Sequence, residues 1–326
     1  MLISRAPFRV SFVGGGSDLP SFYEKHGGCV LSTTIKKYVY LTINPTFFKN
    51  EITLKYSKTE TVTNYNEIEH KIFKTVLKDF NLKGVEITSM ADIPAGTGLG
   101  SSSSFTVALL RLLYAYVNKS ATTYKLAKEA CDVEIVQLGN PIGKQDQFAA
   151  AFGGLNFYEF CQNGFVKIEP IVMKPESYQK LQDNVVLFFT GKLHDANAIL
   201  KEQTNNVGID ELKIAATQKM CELARQLKTN FEDNDIDALG PILKEAWEIK
   251  RSLANGISNP TIDETYIKGL EAGATGGKLL GAGGGGFLLF YCPTPEIKAA
   301  VRKRLCYLKE LPFELDNAGC SIIFNN

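Results

Sequence analysis

The sequence predicts a protein of mixed strands and helices, and three observations support this. Apolar residues alternate along 85–93, which is typical of a strand, whereas those of 105–116 recur at spacings of three and four, which is typical of a helix. Segments of both kinds recur along the whole chain. A length of 326 residues is enough for two domains or one large one.

The other segments follow the same two patterns. Before residue 84 we expect strands at 3–13, 29–34, 38–43 and 52–56 and a helix at 66–80. After residue 116 we expect strands at 155–160, 185–189 and 319–324, with helices at 123–139, 209–255 and 295–309. Lys36-Lys37 is expected at a solvated edge, and Asn44-Pro45 marks a turn.

Composition and charge exclude several classes of partner. The formal net charge of +1 gives no reason to expect nucleic acid or an anionic membrane as a partner, and no apolar run approaches the length of a membrane span. The seven cysteines are scattered without a Cys-x-x-Cys pair, so that a disulfide framework or a zinc site is not expected. This use of cysteine fits a reducing cytoplasm, and the N-terminal residues lack a signal-peptide pattern, so that we expect a cytoplasmic protein.

The segment between the strand ending at Ile93 and the next helix carries the strongest functional signal. Its sequence is Pro94-Ala95-Gly96-Thr97-Gly98-Leu99-Gly100-Ser101-Ser102-Ser103-Ser104. Glycines allow close approach of a ligand, and the free amides at a helix start favour an anion such as phosphate. The serine hydroxyls are suited to capping the helix or to ligating magnesium. The alternative is a plain Gly/Ser turn, since the Walker A pattern is absent.

A second glycine-rich segment follows the first strand. It reads Gly14-Gly15-Gly16-Ser17-Asp18 and is either a simple turn or a loop that closes on a ligand, with Asp18 accepting hydrogen bonds from sugar hydroxyls.

Two acidic residues suggest either chemistry or structure. Glu134 lies on the apolar face of a predicted helix, where it either pairs with a Lys or Arg or ligates magnesium. Asp146 either caps a short helix that ends at Gly153 or acts in catalysis. Lys250 and Arg251 are expected as solvated charges, with contact to a substrate phosphate as the alternative.

Three segments in order resemble the motifs of the GHMP kinases. They are Arg5 to Asp18, Pro94 to Ser103 and Gly273 to Phe290, so the resemblance spans nearly the whole chain. The first departs from the family pattern, with Phe8 in place of a glycine and Gly15-Gly16 in place of Glu-His. These departures resemble the branch of the family that phosphorylates heptose 7-phosphate.

The resemblance implies a two-domain α+β fold, with domains at 1–180 and 181–326 and the nucleotide between them. It implies ATP and Mg²⁺ as cofactors, a sugar phosphate as substrate, and leaves a homo-oligomer possible. The catalytic residues implied are Asp146 and Arg9, with Ser102 and Glu134 as magnesium ligands and 94–103 at the ATP phosphates. Substrate contacts are implied for Gly14, Gly15, Gly16, Ser17, Asp18, Thr190, Gly191, Gly283 and Gly284, whereas His194 is expected at the surface.

The expected reaction is transfer of the γ-phosphoryl group of ATP to the anomeric hydroxyl of a heptose 7-phosphate. The product would feed the synthesis of nucleotide-activated heptose and surface polysaccharide. Two alternatives stay open at this point: another anomeric sugar kinase, fucokinase-like or galactokinase-like, and a non-catalytic homologue that binds a sugar.

Overall fold

The computed structural model describes residues 1–191 and 197–326. The strands are β1 (Leu2–Val13), β2 (Gly28–Pro45), β3 (Ile52–Lys55), β4 (Thr59–Val62), β5 (Val85–Ala91), β6 (Asn156–Phe160), β7 (Val166–Pro170), β8 (Val185–Phe189), β9 (Gly276–Leu279), β10 (Phe287–Tyr291), β11 (Lys309–Leu311), β12 (Leu315–Asp316) and β13 (Ser321–Asn325). The helices are α1 (Pro20–His26), α2 (Lys71–Phe80), α3 (Ser101–Tyr116), α4 (Thr123–Cys131), α5 (Gln145–Phe152), α6 (Pro175–Asn184), α7 (Asn197–Ile209), α8 (Glu211–Glu232), α9 (Leu239–Arg251), α10 (Pro260–Glu271) and α11 (Pro295–Arg304).

The larger of two sheets is built around β1 and β2. Its order is β13-β1-β2-β5-β3-β4, with β6 and β12 also pairing with β2 and β7 pairing with β6. The predicted strands 29–34 and 38–43 are one continuous strand, β2. The pairing of β1 with β2 passes from Pro7↔Tyr38 to Phe8↔Ile35, so that Lys36 and Lys37 form a bulge within β2.

The smaller sheet contains β11-β8-β10-β9 in that order, and all its pairs are antiparallel. After β11 the chain returns to the larger sheet, where β12 pairs with β2 and β13 pairs with β1. Strands from both ends of the chain therefore belong to the larger sheet. The division into domains at residue 180 stays a prediction.

Two predicted helices have a different form in the structure. The segment 123–139 is helix α4 followed by a π-helical turn at Asp132–Gln137, which carries Glu134. Segment 209–255 is the helix pair α8 and α9. A π-helical turn shifts the following side chains relative to an α-helix and is frequent at functional sites. Along the described ranges, no helix is long and apolar enough to cross a membrane.

The core lies between the larger sheet and the helices packed on it. Helix α3 packs against β1 and β2, with its central residues 103–110 buried, and α5 packs against α3 and α4. Strand β1 is buried along nearly its whole length, from Ala6 to Val13. Side chains and loops at the end of β1 are therefore held by a rigid scaffold.

Two glycine-rich segments meet where the C-terminal part of the chain approaches α3. Gly281 has a φ of +76°, and a Cβ there would lie 2.4 Å from the Cα of Gly98. Gly98 has a φ of +80°, and its own Cβ would lie 2.5 Å from the carbonyl oxygen of Leu280. Both positions require glycine because the positive φ disfavours other residues and because there is no room for a Cβ atom. This contact sets the position of the loop before α3 against the loop after β9.

We predict that Gly281→Ala destabilises the protein more than Gly139→Ala. Gly139 has a similar positive φ of +65°, and a Cβ added there would meet nothing within 4 Å, so it shares only the conformational cost of about 1–2 kcal/mol. The contact with Gly98 should add about 1–3 kcal/mol for Gly281→Ala. Urea denaturation of both variants measures the difference, and equal losses would show that the contact relaxes at no cost.

Candidate active site

A cleft of about 390 Å³ opens beside the start of α3. It is bounded by the end of β1, the glycine loop (residues 14–18), the phosphate loop (residues 94–103), the segment 140–146, and parts of α7, α9 and β9. Three acidic and three basic side chains line it: Asp18, Glu134, Asp146, Arg9, Lys250 and Lys278.

Arg9 and Asp146, which both line the cleft, form a bidentate ion pair. The Nε and Nη2 atoms of Arg9 donate to the two carboxylate oxygens of Asp146 at 2.7 and 2.8 Å. The third guanidinium nitrogen, Nη1, donates to the carbonyl oxygen of Gly98 at 2.6 Å. The carboxylate of Asp146 is therefore oriented from behind and remains on the cleft surface, as a base for a bound hydroxyl requires.

The interpretation of Asp146 as a helix cap is wrong. Helix α5 begins at Gln145, its cap position is Lys144, and no side-chain capping bond is formed there. Asp146 instead binds Arg9 across the cleft. The predicted cap at the other end is confirmed, because α5 ends at Gly153 with a φ of +66°.

The phosphate loop turns its glycines and serines toward the cleft. Gly96, Gly98, Gly100 and Ser101 to Ser103 line it, whereas Thr97 and Leu99 are buried behind the loop and Pro94 and Ala95 are exposed. Thr97 donates to the carbonyl of Pro94 at 3.1 Å, and the carbonyl of Leu99 accepts from the amide of Arg9 at 3.1 Å. The serines do not cap α3, whose cap position is Gly100. The free amides at the start of α3 thus face the cleft and favour an anion.

Glu134 is fully buried next to the start of α3. Ser102 Oγ donates to its Oε1 at 2.6 Å, and Gln147 Nε2 donates to its Oε2 at 2.7 Å. Within residues 1–191 and 197–326, Glu134 forms no ion pair with a Lys or Arg, so the ion-pair alternative is wrong. Burial raises the pKa of its carboxyl group above the ordinary value. Such a carboxylate, with serine oxygens beside it, is suited to a divalent cation.

Asp18 holds the glycine loop against the start of α5. Its carboxylate accepts from the amides of Gly16 and Gln145 at 3.0 and 3.1 Å and from the Gln145 side chain at 3.2 Å. Burial raises the pKa of Asp18. The glycine loop is both a turn, with Ser17 N donating to Gly14 O, and a wall of the cleft.

Lys250 is not the solvated charge that the sequence predicts. It is 6% exposed and donates to the carbonyls of Leu279 and Gly281. Burial, with the nearby charge of Arg9, lowers its pKa to about 8. Arg251 is half-buried and pairs with Asp263 instead.

Lys278 is a cleft residue that the sequence analysis missed. It is 2% exposed and donates to the carbonyls of Ser11 and Phe12 at 3.0 and 2.8 Å. Its burial lowers its pKa well below the ordinary value. A lysine inside a buried apolar strand was the available signal. Other cleft residues without a sequence signal are Ser11, Asn140, Gln145 and Gln203.

Several predicted contact residues lie behind the cleft or away from it. Ser17 is buried, and its hydroxyl donates to the carbonyls of Gly14 and Cys29. Thr190 accepts from the amide of Gly286, and Gly284 donates to the carbonyl of Ile257. Cleft-lining residues include Gly15, Gly16 and Asp18 but not Gly14, Ser17, Thr190, Gly191, Gly283 or Gly284. His194 lies outside the described residues.

Amide donors for an anion, an oriented carboxylate and a buried glutamate are groups that a phosphoryl-transfer site would require. The sequence agrees, because the GHMP kinases N terminal domain matches residues 65–154 and the GHMP kinases C terminal matches residues 227–309. The chain belongs to the GHMP kinase family. It is therefore a GHMP sugar kinase, a phosphotransferase that acts on an alcohol group, and this family uses ATP.

Individual relatives match over nearly the whole chain. Over 325 residues the chain is 30% identical to the D-glycero-alpha-D-manno-heptose 7-phosphate kinase of Campylobacter jejuni, covering 95% of this chain and 96% of that one. It is 26% identical to a bifunctional fucokinase/GDP-fucose pyrophosphorylase of Arabidopsis thaliana, over 92% of this chain and 30% of that one.

The fold is likewise similar to that of a solved kinase. The crystal structure of a D-glycero-D-manno-heptose 1-phosphate kinase from Bacteroides thetaiotaomicron matches with a TM-score of 0.81 and 28% identity, over 100% of both chains. The mixed α and β fold that the resemblance implied is confirmed.

We predict that Glu134→Gln stabilises the ligand-free protein at pH 7. Folding raises the pKa of the Glu134 carboxyl group above its ordinary value of 4.5. The folded protein therefore loses stability as the pH rises from below 4.5 through the raised pKa, because the buried carboxyl group must ionise. One pKa unit corresponds to about 1.4 kcal/mol, which sets the scale of the expected gain. The side-chain amide of Gln147 can rotate so that its Oε1 accepts a hydrogen bond from the amide nitrogen introduced at position 134. This oxygen is buried without a partner in the described structure.

Chemical denaturation between pH 4 and pH 8 measures this effect, and the gap between variant and wild type should close toward low pH. Glu129→Gln is the control, because Glu129 is only part-buried and accepts from Tyr114. A wild type more stable than Glu134→Gln at pH 7 would show that the ionised carboxylate is not costly in the folded state.

Proposed function

We propose that this protein transfers the γ-phosphoryl group of ATP to the anomeric hydroxyl of D-glycero-D-manno-heptose 7-phosphate and releases the 1,7-bisphosphate. The observation that carries this proposal is the carboxylate of Asp146, oriented by Arg9 beside the amide-rich start of α3. The heptose assignment is supported by the 30% identity to the Campylobacter jejuni enzyme. The product would enter the synthesis of nucleotide-activated heptose and surface polysaccharide.

In this proposal the phosphate loop receives the nucleotide phosphates, between the two predicted domains. Asp146 accepts the proton of the attacked hydroxyl while the new O–P bond forms and the bond to the leaving ADP oxygen breaks. Arg9 holds Asp146 and places positive charge beside the transferring group. Orientation and charge neutralisation account for most of the catalysis expected of such a site.

Ser102 and Glu134 are the residues that would hold Mg²⁺. Their oxygens lie 2.6 Å apart at the start of α3, and the buried Glu134 has no cation among its described partners. In the described part of the chain, no group of three His, Cys, Asp or Glu side chains is arranged for a metal. Two protein oxygens agree with a Mg²⁺ that takes its other ligands from phosphates and water. When bound, the ion would neutralise phosphate charge.

The glycine loop and Asp18 are proposed to hold the sugar. Gly15, Gly16 and Asp18 line the cleft. The second candidate function is a fucokinase-like activity on an unphosphorylated sugar, favoured by the match to the Arabidopsis thaliana enzyme. A galactokinase-like activity would need the same kind of acceptor.

We predict that Asp146→Asn lowers kcat by roughly 10²–10⁴ and leaves nucleotide affinity near wild type, because the base is lost while the side-chain shape is kept. Steady-state kinetics and nucleotide titration measure the two quantities. Asp237→Asn is the control, since it removes a different carboxylate, which pairs with Lys180 away from the cleft. Wild-type turnover by Asp146→Asn would refute the catalytic assignment.

Ser102→Ala and Glu134→Gln should each raise the Mg²⁺ concentration that gives half-maximal rate. The reason is that each loses or weakens an oxygen ligand for a hard cation. Initial rates at fixed ATP over a Mg²⁺ series test this, with Ser104→Ala as a control because its hydroxyl donates to Pro7 O within the core. An unchanged Mg²⁺ requirement in both variants would leave Glu134 with a structural role.

Heptose 7-phosphate should be a better acceptor than free heptose, galactose or fucose by roughly a hundredfold in kcat/KM. A charged group contributes about 1.5–3 kcal/mol for each hydrogen bond, and this binding energy helps to position the anomeric hydroxyl. A panel of acceptors with product analysis by NMR measures the preference. Equal turnover of galactose and heptose 7-phosphate would contradict the heptose assignment and leave the kinase assignment intact.

A further inference from the structure

The cleft contains two buried lysines that form no ion pair with a carboxylate within the described ranges. Lys250 and Lys278 donate only to main-chain carbonyls there. The acidic groups of the cleft have other partners: Asp146 binds Arg9, and Glu134 binds Ser102 and Gln147.

Asp18 also has its own donors, which are neutral. They are the amides of Gly16 and Gln145 and the side chain of Gln145. Asp146 and Asp18 attract Lys250 without forming an ion pair with it, so both ammonium groups lie in a desolvated region with no anion in contact. Their positive charge is unfavourable there unless an anion accompanies it. Both side chains line the cleft, so that an anionic ligand can reach them.

The positive charge of Lys250 acts on Lys278. Each belongs to the C-terminal part of the chain, Lys250 to the end of α9 and Lys278 to β9. The charge of Lys250 contributes to the lowered pKa of Lys278, and the charge of Arg9 contributes to the lowered pKa of both. A dianion near both ammonium groups would remove this repulsion and restore their ordinary protonation.

A third polar group faces the same region without a partner. The hydroxyl of Ser11 is buried, lines the cleft and makes no hydrogen bond among the described residues. Lys278 is tied to the main chain of Ser11 itself, which lies two residues, about 7 Å, along β1 from Arg9. Lys278 and Ser11 thus lie between the Arg9–Asp146 pair and the glycine loop, on the side proposed for the sugar.

We propose that Lys250 and Lys278, with the hydroxyl of Ser11, form a second anion site that binds the phosphate group the acceptor already carries. This inference rests on the proposed function, since it requires a phosphorylated acceptor. The first anion site, at the start of α3, holds the nucleotide phosphates. The attacked hydroxyl lies between the two, at Asp146. The second site makes the phosphate on the acceptor a requirement for tight binding.

The test compares phosphorylated and free heptose as acceptors for the wild type and for Lys250→Met and Lys278→Met. The matched control is Lys298→Met, because Lys298 is a part-buried lysine that donates to the carbonyls of Asp183 and Val185 and does not line the cleft. Lys250→Gln and Lys278→Gln form a second pair of variants. Their side-chain amides can still donate a hydrogen bond to a main-chain carbonyl, but they carry no positive charge. Thermal unfolding identifies any variant that does not fold.

The wild type and Lys298→Met should prefer heptose 7-phosphate by roughly a hundredfold in kcat/KM. The loss of kcat/KM in the cleft variants should be at least about thirtyfold larger with heptose 7-phosphate than with free heptose, and it should arise mainly through KM. Inorganic phosphate should inhibit the wild type competitively with heptose 7-phosphate and should inhibit the folded cleft variants at least tenfold more weakly.

Three results would overturn the inference. Cleft variants that keep the hundredfold preference would show that the phosphate binds elsewhere, with the proposed function intact. Equal losses on both acceptors, through kcat, would place the lysines at the transferring phosphoryl group. A wild type with no preference for the phosphorylated acceptor would refute the acceptor assignment and this inference together.

Discussion

The geometry of the candidate active site depends on the three hydrogen bonds that the guanidinium group of Arg9 donates. One guanidinium group holds both oxygens of Asp146 and the carbonyl of Gly98, and the amide of the same residue binds the carbonyl of Leu99. It thereby joins β1, α5 and the phosphate loop, which are far apart in sequence. The planar fork of arginine makes this possible, whereas a lysine would offer a single point charge. One side chain thus sets the relative positions of the groups that are proposed to act on one phosphoryl transfer.

Close main-chain packing adds the C-terminal part of the chain to this arrangement. Gly281 lies against Gly98 with no room for a side chain, and Lys250 donates to the carbonyl of Gly281. The glycines after β9 therefore act through close approach of backbone to backbone, although Gly283 and Gly284 are not among the cleft-lining residues. A rigid junction of this kind keeps the cationic side chains of α9 and β9 at fixed positions in the cleft.

The buried acidic and basic side chains of the cleft, apart from the Arg9–Asp146 pair, are hydrogen-bonded to neutral groups and not to one another. Asp18 and Glu134 are stabilised by neutral donors, and both have raised pKa values because they are buried. Lys250 and Lys278 are stabilised by neutral acceptors, and their pKa values are lowered for the same reason. Charges that are only partly satisfied in this way can interact strongly with ligands, because a desolvated site amplifies electrostatic interactions. Some stability of the ligand-free protein is lost as a consequence.

The sequence by itself determined the strand–loop–helix around 94–103 and the family, because local periodicity and glycine spacing are properties of neighbouring residues. It also singled out Glu134 and Asp146, as carboxylates at positions where a simple structural role was costly or ambiguous. Only the tertiary structure decided that Asp146 binds Arg9 rather than capping α5, that Lys36-Lys37 is a bulge in one long strand, and that Lys250 and Lys278 are buried in the cleft. Burial and ion pairing depend on contacts between residues about thirty to more than two hundred positions apart, and a local sequence pattern does not specify such contacts.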